Sequence, residues 1–342
     1  MVEPYTIERL EEKDIESLFE FRQRVFPVNN KQMNRERWRW LFLNNPYAGA
    51  SLPIWVIKTQ DRIAGSICAL PALFNIGRKV FWGCFGTDYY VEGCFKGQPA
   101  LQLIRRIKAY SPLLIGANVS DSAHQLLLRM GCSDLSSEIY EATISLSRPG
   151  RMLARLTQTL RKCARSIIVM SARGIGYQTM ISNYLPEDYH LFWSSLADGR
   201  YCGLDKNTTY MRWRYEKCPT LDHSFVLCRR HNSICAIIVV GIRNNNHNRT
   251  GLILDILVKG CNPMDLLPAL CAGLEYFTEQ NCKFVTLHWT AHWAKPFFRL
   301  FGFNLRTSDL GLLVWVAKGS EHLKALQQPG RWKFSLGDSD RF

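Results

Sequence analysis

Apolar positions along the chain switch between a period of two and a period near 3.6, and the switches set the order of elements. Tyr5 to Leu10 alternates as a first strand. Ile15, Leu18, Phe19 and Val25 then share one face of a helix that Asp14 can cap. A second helix carries Trp38, Trp40, Leu41 and Phe42 and stops before Pro46. Strand-like runs follow at Ile54 to Ile57, Ile63 to Cys68, Lys79 to Trp82 and Gly86 to Val91. Pro99 to Ile107 reads as a helix, Leu113 to Ala117 as a strand, and Ser122 to Met130 as a helix ended by Gly131. The predicted order is β-α-α-β-β-β-β-α-β-α, with a further strand near Tyr140 to Leu146. Later residues repeat the second part of that order: strands at 225–227, 234–240 and 252–258, a helix at 266–277, a strand at 284–288, a helix at 294–301 and a closing strand at 312–316.

The repetition extends to individual residues. Arg39-Trp40-Leu41-Phe42 before Pro46 returns 173 residues later as Arg212-Trp213-Arg214-Tyr215 before Pro219. Asp88 to Cys94 returns as Asp255 to Cys261, and the Ala123 to Gly131 helix as Ala294 to Gly302. A period near 170 residues is that of a domain, so the pattern predicts two tandem domains and excludes a short-repeat solenoid. The expected boundaries are 1–147, a linker at 148–184, a second domain at 185–318 and a tail at 319–342.

Charge adds a partner class. Forty-three Lys and Arg against 29 Asp and Glu give a net charge of +14 over 342 residues, which favours acidic partners. Residues 142–186 hold no Asp or Glu, and over 148–173 the arginines oppose an apolar face of Leu153, Leu156, Leu160, Cys163 and Ile167. Such a basic amphipathic helix either packs across both domains or lies on an anionic membrane. Twelve cysteines without C-x-x-C or zinc-finger spacing predict reduced thiols and no metal centre. With no signal-like start and no long apolar run, the expectation is a cytoplasmic protein, peripheral at a membrane if the basic segment binds one.

Candidate chemistry lies where a strand passes into a helix. Val91-Glu92-Gly93-Cys94-Phe95-Lys96-Gly97-Gln98-Pro99-Ala100 can aim backbone N–H groups and a lysine at a phosphate. This stretch resembles the pyrophosphate-binding segment of GNAT acyltransferases, V-x-P-x-(Y/F)-(R/K)-G-(K/Q)-G-x-G/A, at Val91, Phe95, Lys96, Gly97 and Gln98. The helices ending at Gly131 and Gly302 resemble the family's A-x-x-x-Y-x-x-x-G-F helix. The resemblance implies a tandem GNAT fold, a mixed-sheet α/β architecture, covering roughly 5–147 and 185–317. It implies acyl-coenzyme A or an acyl carrier protein thioester as donor substrate, with no resident cofactor. Val91, Gly93, Phe95, Lys96, Gly97, Gln98 and Asn118 are the implied donor contacts, which places the donor in the first half. Pro99 departs from the pattern, because it has no N–H where the family has glycine. The second half departs further, with Gly260-Cys261-Asn262-Pro263-Met264 at the matching place. The family's acid tyrosine is replaced by Leu127 and Phe298.

Acyl transfer to an amine needs a base, and Glu92, at the strand end, and His288 are the candidates. Asp88 and Asp255, acids on apolar strands, must be paired or functional, and the repeat offers Arg39 and Arg212 as partners. The sequence therefore supports an N-acyltransferase. The alternatives are a Fem-type transferase that takes its acyl group from charged tRNA, and a binding module with two degenerate domains. DNA is not an expected partner.

Overall fold

The computed structural model describes residues 3–26, 33–77, 79–146, 176–196, 202–245 and 248–339. The basic helix expected over 148–173 lies outside the described residues. The first half contributes strands β1 (Thr6–Arg9), β2 (Ile54–Lys58), β3 (Ile63–Ile76), β4 (Lys79–Val91), β5 (Leu113–Ala117), β6 (Ser133–Asp134) and β7 (Tyr140–Ser145). Its helices are α1 (Ile15–Val25), α2 (Arg35–Phe42), α3 (Gln98–Tyr110) and α4 (Asp121–Arg129). The second half contributes β8 (Tyr177–Ser182), β9 (Cys202–Leu204), β10 (His223–Arg230), β11 (Ser233–Asn245), β12 (Asn248–Val258), β13 (Phe284–Trp289), β14 (Asn304–Thr307) and β15 (Leu312–Val316). Its helices are α5 (Tyr189–Leu196), α6 (Thr208–Met211, continuing as a π-helical turn Arg212–Glu216), α7 (Pro263–Glu279) and α8 (Lys295–Leu300). No helix among the described residues is long and apolar enough to cross a membrane.

The strands form two mixed sheets in the orders β1-β2-β3-β4-β5-β15-β6 and β14-β7-β13-β12-β11-β10-β8, with β9 added to β3. Each sheet takes a strand from the other half. β15 pairs antiparallel with β5, and β7 pairs antiparallel with β13 and β14. The exchange couples the two units through backbone hydrogen bonds as well as through side-chain packing.

The largest core fills the space shared by the halves. It holds Leu18, Phe19 and Phe21 of α1, Trp38, Trp40, Leu41 and Phe42 of α2, Tyr189, Phe192 and Trp193 of α5, Tyr210, Met211, Trp213 and Tyr215 of α6 with its π-helical turn, and tail residues Trp332, Phe334 and Leu336. The repeated tryptophans meet here. Trp40 and Trp213 stack with ring centroids 5.2 Å apart, and each indole N–H donates to the other's backbone carbonyl, at 2.8 and 3.0 Å. The tryptophan of the shared R-W motif is therefore a reciprocal contact between the halves. Arg39 and Arg212, one position earlier, point to solvent because helical spacing gives the tryptophans the inward face. Asp88 and Asp255 accordingly take other partners, Arg22 and Lys206. Two smaller cores lie outside this one, under α3 on the first sheet and under α7 and α8 on the second.

Candidate functional site

Among the described residues, each sheet opens into a fork at its parallel strand pair. In the first, β4 and β5 pair from Cys84 opposite Leu114 to Gly86 opposite Gly116, after which β4 continues alone to Val91. A bulge in the β3–β4 register between Ser66 and Cys68 bends β4 away, and Asp88 there adopts φ +49°. Asp tolerates that left-handed backbone better than most residues. In the second sheet, β12 and β13 pair as far as Ile253 opposite Leu287, then diverge. A matching register shift opposite Val239 and Val240 bends β12 at Leu254.

The two forks differ in volume. In the first, Tyr89 of β4, Ile104 and Ile107 of α3, Leu114 of β5 and Leu127 of α4 leave about 40 Å³. In the second the cavity is about 500 Å³, within the range of small-molecule sites. Ile256, Leu257 and Val258 of β12 form one wall, and Trp289, Ala291 and Trp293 the other. Gly260 and Cys261 stand at the rim. The C-terminal tail closes a third side. Ser335 bridges to Trp289, and the Thr290 amide donates to the Phe334 carbonyl at 3.1 Å.

The base of this fork is charged. Lys206 Nζ donates to both Asp255 oxygens at 2.7 Å, lies 2.8 Å from Asp338 Oδ1 and donates to Ser335 Oγ at 3.1 Å. Ser335 Oγ in turn lies 2.9 Å from Asp255 Oδ1 and 3.2 Å from Asp338 Oδ2, and the Tyr215 hydroxyl donates to Asp255 Oδ2 at 3.0 Å. Lys206, Asp255 and Ser335 line the cavity, while Asp338 lies behind them. Burial works against the Lys206 ammonium, but Asp255 and Asp338 outweigh it and raise its pKa. Burial pushes the Asp338 carboxyl up, opposed by Lys206 and reinforced by Asp255. Two carboxylates thus share the one buried ammonium. Arg214 fixes the tail from behind, donating to the Gly337 and Ser339 carbonyls.

The expected catalytic residues lie elsewhere. Asp88 forms a buried pair with Arg22 at 2.5 Å. Glu92 is held between Arg62 and Arg24, the latter at 3.3 Å. His288 is buried on a different face of β13 from the core residues Leu287 and Trp289, with Nδ1 2.7 Å from Ser308 Oγ. Its neighbours Glu141 and Asp309 bring ligand-type atoms within 4.8 Å of one another and of it, but Arg306 already donates to both Glu141 oxygens at 2.8 and 3.0 Å. None of these residues lines the larger cavity.

The expected donor contacts lie at or after the ends of β4 and β5, and none of them lines the smaller cavity. Val91 and Phe95 are buried, Phe95 beneath α3 against Tyr5. Gly93, Lys96, Gly97 and Gln98 form an exposed turn into α3, with Gly97 at φ +99°. Asn118 is exposed at φ +55°, its amide donating to the Gly311 carbonyl at 3.0 Å. Sequence reasoning missed Lys206, Ser335 and Asp338. Lys206 sits in an irregular loop with no periodic signal. Ser335 and Asp338 carry one, the S-x-x-D spacing of a capping box, which they form.

Two exchanged mixed sheets, each forked beside a strand-to-helix turn, are the arrangement of a tandem GNAT fold. Solved structures bear this out. A GCN5-related N-acetyltransferase from Anabaena variabilis is 11% identical over 92% of this chain and 73% of its own, with a TM-score of 0.59. A tandem GNAT protein from the clavulanic acid biosynthesis pathway is 11% identical over 92% of this chain and 98% of its own, with a TM-score of 0.53. Saccharomyces cerevisiae N-myristoyltransferase is similar at 11% identity over 92% and 81%, with a TM-score of 0.56. At such identities the likeness is one of fold. No protein-family model and no curated protein sequence matches the chain.

Proposed function

We propose that the protein transfers an acyl group from a thioester to an amine, and that the donor lies in the fork between β12 and β13. The observation that carries this reading is the contrast between about 500 Å³ there and about 40 Å³ in the first fork. The apolar walls suit an extended thioester arm. The β12 edge beyond Ile253 is unpaired with β13; the Ile256 amide donates to Asp255 Oδ1 at 3.1 Å, so an oxyanion donor falls to another amide of that edge.

The charged base of the fork supplies the proton chemistry. An ammonium acceptor must become an amine before it attacks. The excess negative charge of Asp255 and Asp338 over Lys206 draws the ammonium in, and Ser335 connects the cavity to both carboxylates. The amine nitrogen bonds to the thioester carbon as the C–S bond breaks. One proton leaves with the thiol, and the other passes through the carboxylate cluster to solvent. Glu92 and His288 have no part in this scheme.

The test follows Trp289 and Trp293 by fluorescence while acetyl-pantetheine and acetyl-coenzyme A are titrated in, with a Trp293→Phe variant to assign the signal. Saturable quenching, and thiol release that depends on an added panel of amines, are the expected results. No saturable response to any pantetheine thioester contradicts the reading.

A further inference from the structure

The second fork has room for a thioester arm, yet the turn beside it has nothing with which to hold a nucleotide. An anion at a helix start is bound by first-turn amides left free by helix geometry. In α7 these positions are already used. Pro263 has no N–H. The Met264 amide donates to Asn262 Oδ1 at 3.1 Å, and those of Asp265 and Leu266 donate to the Asn262 carbonyl at 3.1 and 3.4 Å. The buried Asp265 sits in the same turn and accepts from the Tyr177 hydroxyl at 2.8 Å. A carboxylate thus occupies the positive end of the helix, where a pyrophosphate would meet like charge.

The complementary feature is in the other half. The Gly93 to Gln98 turn presents an exposed Lys96 and leads into a helix with no acid in its first turn, but the fork beside it is closed. A nucleotide grip and an arm slot are both needed for a coenzyme A thioester, and here they are divided between two domains.

Resting on the reading that the second fork holds the donor, we propose that this site recognises a pantetheine arm alone, presented on an acidic carrier protein. The arm is an extended chain of amides ending in the thioester, and a slot between two strand edges with apolar walls is complementary to it. Carrier recognition then falls to the rim. Lys259 precedes the rim residue Gly260, half-buried Lys333 lines the cavity, Arg331 is exposed two residues away, and Met264 is exposed at the start of α7. Together with the net charge of +14, these cations give an acidic carrier both a local contact and long-range steering.

Three donors titrated into the full chain test this: acetyl-pantetheine, acetyl-coenzyme A and acetylated holo acyl carrier protein. The first two are expected to bind within about threefold of each other, and the carrier at least about tenfold more tightly. The carrier's advantage is expected to vanish in the Lys259→Glu and Lys333→Glu variants and to shrink at about 0.5 M salt. Acetyl-coenzyme A binding about tenfold or more above acetyl-pantetheine overturns the proposal, because the nucleotide is then gripped. A carrier no tighter than acetyl-pantetheine overturns it as well. Binding by none of the three, or by aminoacyl-tRNA in their place, defeats the donor-site reading itself.

Discussion

At the scale of single residues, the buried ions fix the most testable energetics. Lys206 and Asp255 are each about 2% exposed or less, and both depend on the other's charge. Lys206→Ala leaves two carboxylates in the core without a counter-ion and is expected to cost about 3–5 kcal/mol in urea unfolding. Lys206→Met, which keeps the volume, is expected to cost about as much, since the lost charge is what matters. Recovery of stability in Lys206→Ala by a second change, Asp338→Asn, tests that assignment. His223 gives a pH signature. Burial, helped by Arg214, pushes its pKa down to about 4 from 6.5, so the neutral ring is the folded form. Its contribution is complete above pH 6.5 and is lost as pH falls towards 4, an amount of about 3 kcal/mol. The His223→Phe variant is expected to lose less stability than the wild type over that interval in chemical denaturation at stepped pH. Asp255 was legible as an acid that must be paired or functional, because it interrupts an apolar strand. Lys206 was not, because an isolated lysine in a loop reads as solvated.

At the scale of elements, the strand exchange governs behaviour. β15 lies between β5 and β6, so the first sheet is incomplete without residues that follow the whole second half. Truncation after Asp309 is therefore expected to expose the β5 amides of Leu113 to Ala117 to hydrogen exchange, although the cut is nearly 200 residues away in sequence. Unchanged β5 protection contradicts the exchanged topology. Most elements were readable from periodicity; β5 and β15 have the bounds the pattern predicts. The exchange itself was not readable, since alternation places residues on a face and does not say which sheet receives the strand. The forks were equally hidden. Their volumes are set by side chains from three or four elements meeting in space, such as Ile104, Ile107, Leu114 and Leu127.

At the scale of the whole molecule, the two halves share a framework and, in the proposed reading, divide the features of a donor site. The repeated motifs mark the framework. Trp40 against Trp213 holds the halves together, and a double-mutant cycle with Trp40→Phe and Trp213→Phe is expected to show coupling of about 1 kcal/mol. Additive effects contradict the stacked, reciprocally bonded pair. Resemblance to the family's phosphate turn draws attention to the first half, where Phe95, Lys96, Gly97 and Gln98 match its pattern and Pro99 does not. Side-chain packing leaves the usable cavity in the second, beside a turn whose amides are occupied. The most direct measurement is the affinity for acetyl-pantetheine in the wild type and in two variants, Val258→Trp in the second fork and Lys96→Ala at the first-half turn. Val258→Trp is expected to abolish saturable binding and Lys96→Ala to leave it unchanged. Binding that survives Val258→Trp and is lost in Lys96→Ala would place the donor in the first half and contradict it.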